Sequence, residues 1–291
     1  MKLTNNKNIF CSVSAGYSSV MMATKMKEWF PDHNIVFAMA NTSKEREESL
    51  HFMNECDKYF DLNLKWIETE FHGLGTGVTF NVVKYKDLKL QGEIFESGIK
   101  KLGIPSSVNK WCNRDMKVEP LRKYADTIFG KENYSIAVGI RADEIDRVRK
   151  DYKENNVFYP LMDHGLTKKD RNKFWKDQPI KITIPAFKGN CDLCFEKSNR
   201  KLMTIIDEEP EKAIWWDRMI KKYGQDTYEG KPSYNDLMKE NDGMTFYRTY
   251  NTIEDLVELA KKPFSKSTDE YVYKNDLFDS EDSCGSGCSA F

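Results

Sequence analysis

Cys191 and Cys194 stand in the stretch NCDLCFEKS, directly after a glycine and before a basic run. A C-x2-C pair sets two thiolates at the spacing that soft metals use, but two donors complete neither a zinc nor an iron–sulfur site. Other parts of the chain must therefore contribute. Cys112, in KWCNRDMK, is the candidate third thiolate. Three such thiolates read as iron–sulfur or zinc ligation, with a redox dithiol as the metal-free alternative. Zinc would need a fourth ligand, from His164, Cys284 or Cys288, because the four histidines form no local ligand pair. Cys11 and Cys56 lie inside apolar patterns and read as small buried hydrophobes.

A second constellation is charged. GIRADEIDR (139–147) follows an apolar run, so Arg141, Asp143 and Glu144 are expected to project into a cleft at a strand's carboxyl end. Arg141 can fork onto a phosphate or sulfate, while the carboxylates can accept ribose hydroxyls or bind magnesium. Arg114, Lys117 and Arg122, close to Cys112 in sequence, offer further anion contacts. RVRKDYK (147–153) is either a solvated face or a contact for a larger polyanion.

These residues need a frame. NIFCSV (8–13), NIVFAMA (34–40), LKWIET (64–69) and YSIAVGI (134–140) read as apolar strands. Helical spacing separates the early ones, over 20–30 and from 41 to 60, where Thr42 or Ser43 is expected to cap a helix carrying Glu45 in its first turn. Strand–helix alternation with fully apolar strands predicts a doubly wound α/β fold, a parallel sheet of about five strands covered on both faces. Residues 70–110 look irregular apart from a short helix near 91–101, and 117–130 reads as a helix ending at Gly130. A helix starts near Thr167, and KITIPA (181–186) is a candidate last strand. Beyond Gly189 the pattern is helical over 198–206, 210–223 and 252–262, and Trp215 with Trp216 must turn at least one ring into the core. The expected division is an α/β domain over 1–189, a helical region bearing C-x2-C over 190–278, and a mobile cysteine-containing tail over 279–291. In the first loop, SVSAGYSSV, small residues let backbone amides approach an anion at a helix N-terminus.

The words SAGYSS, NTSKEREESLHF, WCNRDMKVEPL, VGIRADEIDR, YPLMDHGLTKKDRNKFW and GNCDLCFEKS occur in the order of the phosphoadenosine-phosphosulfate reductase-like family. The chain resembles that branch of the adenine-nucleotide alpha-hydrolase superfamily over roughly residues 8–222, in a three-cysteine form like those carried by phages and bacteria. The resemblance implies an adenine nucleotide, ATP or an adenylyl sulfate, at the carboxyl ends of the strands. It places Ser14, Ala15, Gly16, Tyr17, Ser18 and Ser19 on the phosphate loop, and Asn41, Thr42 and Glu45 near the nucleotide. Ala15 and Ser18 stand where ATP-splitting relatives carry a glycine and an aspartate, so splitting of ATP is not implied. A hydroxyl at Ser18 brings no carboxylate charge to a magnesium ion.

The resemblance also gives Cys112, Cys191 and Cys194 a 4Fe–4S cluster with one iron open, zinc being the alternative. Cys284, followed by a glycine, is similar to the reductases' catalytic cysteine, with Cys288 to resolve a disulfide or persulfide and Arg141 as a further catalytic candidate. The implied activity is reduction of an adenylyl sulfate or nucleotide-dependent sulfur transfer, the sulfur or electron donor being unknown. A nucleic-acid thiolation enzyme and a nucleotide-sensing module with a structural metal are the alternatives.

Composition limits partners more than chemistry. Charged residues make up 31% of 291, with a formal net charge of −1, so no global attraction to nucleic acid is advertised, although a local patch leaves nucleic acid as a candidate partner. An odd count of seven cysteines and the absence of a basic-then-apolar start argue against a disulfide framework and for a cytoplasmic chain. No apolar run reaches the roughly 18–20 residues that span a bilayer. An oligomer is compatible with all of this.

Overall fold

A computed structural model describes residues 7–73, 75–106, 109–223 and 252–268. The alternation of apolar runs becomes β1 (Asn8–Ser12), α1 (Tyr17–Trp29), β2 (Asn34–Asn41), α2 (Glu47–Tyr59) and β3 (Lys65–Phe71). Next come β4 (Val78–Val83) and α3 (Glu93–Leu102). A continuous helical run then holds α4 (Trp111–Asn113), a π-helical turn (Arg114–Val118) and α5 (Glu119–Phe129). β5 (Ser135–Val138), β6 (Val157–Phe158), α6 (Pro160–Asp163) and α7 (Lys168–Lys176) follow. The last helices are α8 (Asn199–Glu208), α9 (Glu211–Tyr223) and α10 (Ile253–Ala260).

The strands form one sheet in the order β4-β3-β2-β1-β5-β6, parallel except for β4 against β3. Successive residues face opposite layers, as a strand's period of two requires. Ile9 and Cys11 pack with α1 and α2, whereas Phe10 packs with Leu121 and Tyr124 of α5. The same split separates Phe37 and Met39 from Ala38 and Ala40. Both faces are covered, which is why these strands are apolar throughout. Connections run one way from β1 to β2 and the other way to β5, so the sheet is doubly wound. Its crevice lies between the ends of β1 and β5.

A third core joins α8, α9 and α10 to α3, Trp111, Met116 and the C-x2-C residues. Trp216 is fully buried there, while Trp215 packs against its rim. The helical region thus shares a core with segments on the other side of Gly189.

Three local expectations are corrected. The stretch 70–110 holds a strand: VTFNVV alternates and is rich in β-branched residues, and it folds back antiparallel on β3. KITIPA forms no strand. Its Ile182 N–H donates to the Tyr17 hydroxyl at 3.0 Å, and Pro185 lacks the donor that a ladder requires. Thr42, Ser43 and Glu45 precede α2, whose N-cap is Arg46. Ser43, with φ of 61°, instead turns its hydroxyl to accept N–H bonds from Ile94 and Phe95, capping α3 from a different loop. No helix among the described residues is long and apolar enough to cross a membrane.

Candidate functional site

A cleft of about 320 Å³ opens at the switch between β1 and β5. Its floor is the first loop: Ser14, Ala15, Gly16, Tyr17, Ser18 and Ser19 all line it. Helix α1 starts there without an acidic residue in its first turn and without a side chain capping Gly16, among the described residues. Its partial positive charge is therefore left to the cleft. The Ser14 N–H donates to Ser19 Oγ at 2.9 Å, which fixes the loop's curvature. Gly139 makes the close approach of α1 to β5 feasible: a Cβ there would meet Ser19 Cα at 2.7 Å.

Arg141 follows at the end of β5, buried, with Nη1 donating to Ser18 Oγ at 2.8 Å. Its Nε bonds Asp143 at 2.9 Å, and Glu144 lies 3.3 Å from Nη1 while accepting the Arg141 backbone N–H at 3.1 Å. Burial works against the Asp143 charge, but the hydrogen bond and charge of Arg141 outweigh it and hold that carboxyl below its ordinary range. Glu144 also pairs with Arg147. Arg141 and Glu144 line the cleft. Asp143 sits behind them and accepts the N–H of Lys168, tying in α7.

The opposite wall is the irregular stretch that replaces the expected strand, presenting Ile182, Ile184 and Ala186. Tyr17 holds it in place: its carbonyl accepts the Trp175 indole N–H at 2.9 Å, and its hydroxyl accepts from Ile182. Arg171 of α7 reaches the same cleft. Sequence reasoning did not single out Arg171. The helix start at Thr167, marked by its capping box with Asp170, was the available signal.

The cysteine corner adjoins the cleft through Glu45, which lines the cleft and forms an antiparallel backbone bridge with Cys191. Glu45 Oε1 lies 3.1 Å from Lys117 Nζ, 3.3 Å from the Thr42 hydroxyl and 3.9 Å from Cys191 Sγ. Thr42 Oγ1 is itself 3.5 Å from that sulfur. Lys117 rises from the π-helical turn, a distortion that often marks functional positions. Burial, and then the Glu45 carboxylate, push the Cys191 thiol well up, against a smaller opposing pull from Lys117; Cys112 lies near enough to add to the rise. Asn41 is not at the cleft: its amide donates to Glu68 and to the Lys89 carbonyl, both at 2.8 Å. Thr42 likewise faces Cys191 rather than the cleft.

The C-x2-C turn is held by a buried clasp that sequence reasoning missed. Lys44 Nζ pairs with Asp192 Oδ2 at 2.7 Å, beneath the Trp215 ring at 4.5 Å from its centroid. The Trp216 indole N–H and the Leu193 N–H donate to the other Asp192 oxygen at 2.9 and 2.8 Å. Cys191 and Cys194 are buried in the third core, and Cys112 packs against it. None of these three forms a disulfide. The donors have the chemistry of a soft-metal site. Among the described residues, however, no group of three His, Cys, Asp or Glu side chains is placed to hold a single ion. Cys284 and Cys288 lie outside the described residues.

No protein-family model matches the chain. It is similar to the uncharacterized nin region protein ORF290 of Escherichia phage lambda, 27% identical over 232 residues that cover 74% of this chain and 79% of that protein. It is also similar to two uncharacterized Methanocaldococcus jannaschii proteins. MJ0973 is 23% identical over 239 residues, covering 78% of this chain and 52% of that protein. MJ0066 is 25% identical over 234 residues, covering 75% and 42%. The chain thus spans about half the length, or less, of these two archaeal relatives.

Proposed function

We propose that this chain is an enzyme of sulfur metabolism that binds an adenine nucleotide in the cleft and acts on sulfur at the adjoining cysteine corner. The reaction class is reduction of an adenylyl sulfate or nucleotide-dependent sulfur transfer. A small-residue loop at a helix N-terminus, at the switch point of a parallel sheet and under a buried arginine, supports a phosphorylated ligand. The observation that carries the reading further is Glu45, which belongs to both places: it lines the cleft and lies 3.9 Å from the Cys191 sulfur. A ligand in the cleft is thereby one side chain away from a thiol.

Lys117, Arg141 and the loop would bind and orient the anionic end of the nucleotide. Cys112, Cys191 and Cys194 are the donors that a 4Fe–4S cluster or zinc would use in this corner. A second reading, a nucleotide-binding module without turnover, is favoured by the burial of Cys191, 9% exposed.

Two measurements on the whole chain test this. Anaerobic purification with iron, sulfide and zinc analysis is made on the wild type and Cys112→Ala. About four irons per chain, lost in the variant, support a cluster; stoichiometric zinc rejects it. Adenylyl sulfate and ATP are then offered with a thiol reductant. Turnover supports the enzyme; tight nucleotide binding with no turnover leaves the module.

A further inference from the structure

Asp192 stands between the two thiols of the C-x2-C turn, and its neighbours Cys191, Leu193, Cys194 and Trp216 all belong to the third core. The Asp192 and Lys44 side chains that pair there are only 5% and 9% exposed. A buried ion pair is a poor way to stabilise a core, because apolar residues of similar volume often hold it as well or better. Direction is what the pair adds. Hydrogen-bonded charges accept few geometries, whereas apolar contacts let a turn slide.

The bonds of Asp192 are arranged in that sense. Its backbone N–H donates to the Lys44 carbonyl at 3.2 Å, and its Oδ2 lies 2.7 Å from the Lys44 ammonium, so the main chain and the side chain of one residue both hold it. The other carboxylate oxygen accepts the Leu193 N–H at 2.8 Å and the Trp216 indole N–H at 2.9 Å. One position earlier, Cys191 makes its backbone bridge to Glu45. Two successive residues at the exit of β2 therefore grip two successive residues of the turn. The foot of the turn is closed separately. There the Lys197 N–H donates to the Cys194 carbonyl at 2.9 Å, and its ammonium donates to the Gly189 carbonyl at 2.6 Å.

Lys44 is itself held in place. Its ammonium lies 4.5 Å from the centroid of the Trp215 ring, within cation–π range. That ring packs flush against Gly92, where a Cβ would meet it at 2.5 Å, and the Gly92 N–H donates to the Ser43 carbonyl at 2.9 Å. The start of α3, the exit of β2 and α9 thus converge on one buried ammonium.

We propose that Lys44 and Asp192 are positioning residues: their pair keeps the C-x2-C turn aligned with the exit of β2, so that Cys191 faces Glu45 and both thiols of the turn stay packed. The pair decides where the thiols stand rather than how stable the core is. This rests on the reading of the corner as the place where sulfur is handled, and it names the residues that set the geometry there.

Alkylation of the full chain by N-ethylmaleimide tests it, with the rate at each cysteine read by mass spectrometry on reduced, EDTA-treated protein. The wild type is compared with Lys44→Met and with the double variant Lys44→Met/Asp192→Asn. Asparagine keeps the oxygen that accepts from Leu193 and Trp216, and methionine keeps an unbranched stem, so the double variant removes the pair without stranding a buried charge. In both variants Cys191 and Cys194 are expected to react about tenfold faster, the effect of a local opening. Cys11 and Cys56, buried in the core beneath α1 and α2, gauge global loosening and are expected to stay within about twofold of the wild type. Wild-type rates at Cys191 and Cys194 in the double variant overturn the proposal. So does a parallel rise at Cys11 and Cys56, which makes the pair an ordinary support of the fold. Adenylyl sulfate turnover by the wild type is measured apart from these rates, so the sulfur-chemistry reading stands or fails separately.

Discussion

Glu45 Oε1 stands 3.9 Å from the sulfur of Cys191 and 3.1 Å from the ammonium of Lys117, so one carboxylate joins the cleft, a lysine and a thiol. It reaches that position because it lies in the loop ahead of α2 rather than within the helix, where its backbone pairs with Cys191.

The Glu45–Lys117 pair is almost wholly buried, with side chains 5% and 15% exposed. Lys117→Met leaves a buried carboxylate without its cation and is expected to cost about 3 kcal/mol of stability. Adding Glu45→Gln removes the orphaned charge and is expected to restore more than half of that loss. Urea unfolding of the wild type, both single variants and the double variant gives the coupling. A strictly additive cycle contradicts the pairing.

Gly139→Ala places a methyl group 2.7 Å from Ser19 Cα and 3.1 Å from its backbone nitrogen. Both are main-chain atoms of α1, so the helix start and the first loop must move together. The expected cost is about 2 kcal/mol, with AMP affinity falling about tenfold. Thermal melts and calorimetry check the two effects, and a variant with unchanged affinity argues against the loop's role in binding.

Glu209 carries a pH signature. Burial opposes its charge, but hydrogen bonds and charges from Arg46 and Lys188 prevail and hold its carboxyl down to about 2. A group depressed in the folded state stabilises above its unfolded value, about 4.3 for glutamate, and that contribution is lost as pH falls toward 2. Glu209→Gln is therefore expected to be about 2 kcal/mol less stable than the wild type at neutral pH. The gap should close between about pH 4.5 and pH 2. Denaturant unfolding across this range measures it; a gap that persists at pH 2 assigns the loss to packing.

Much of this architecture was legible in the linear pattern. β1, β2, β3 and β5 were visible because strands covered on both faces must be apolar along their length. The first loop and Arg141 follow directly from strands whose ends were readable, and the structure places them on one cleft. β4 was hidden because its alternation is confined to a short hairpin after a glycine-rich turn. The 181–186 run misled because alternating isoleucines signal a half-buried segment, not which partner covers it; here they face the cleft and Pro185 withholds a donor.

The amino-acid sequence by itself determined which residue types lie where along the chain: small residues after β1, a basic and acidic run after β5, thiols at 112, 191 and 194. Only the tertiary structure decided which of them meet. Periodicity and propensity act over a few residues, whereas the contacts of Glu45 with Cys191, Lys44 with Asp192 and Arg141 with Ser18 join positions more than a hundred residues apart. Such contacts are set by how the sheet and the third core pack, because a buried charge has to find its partner wherever the fold brings one within reach.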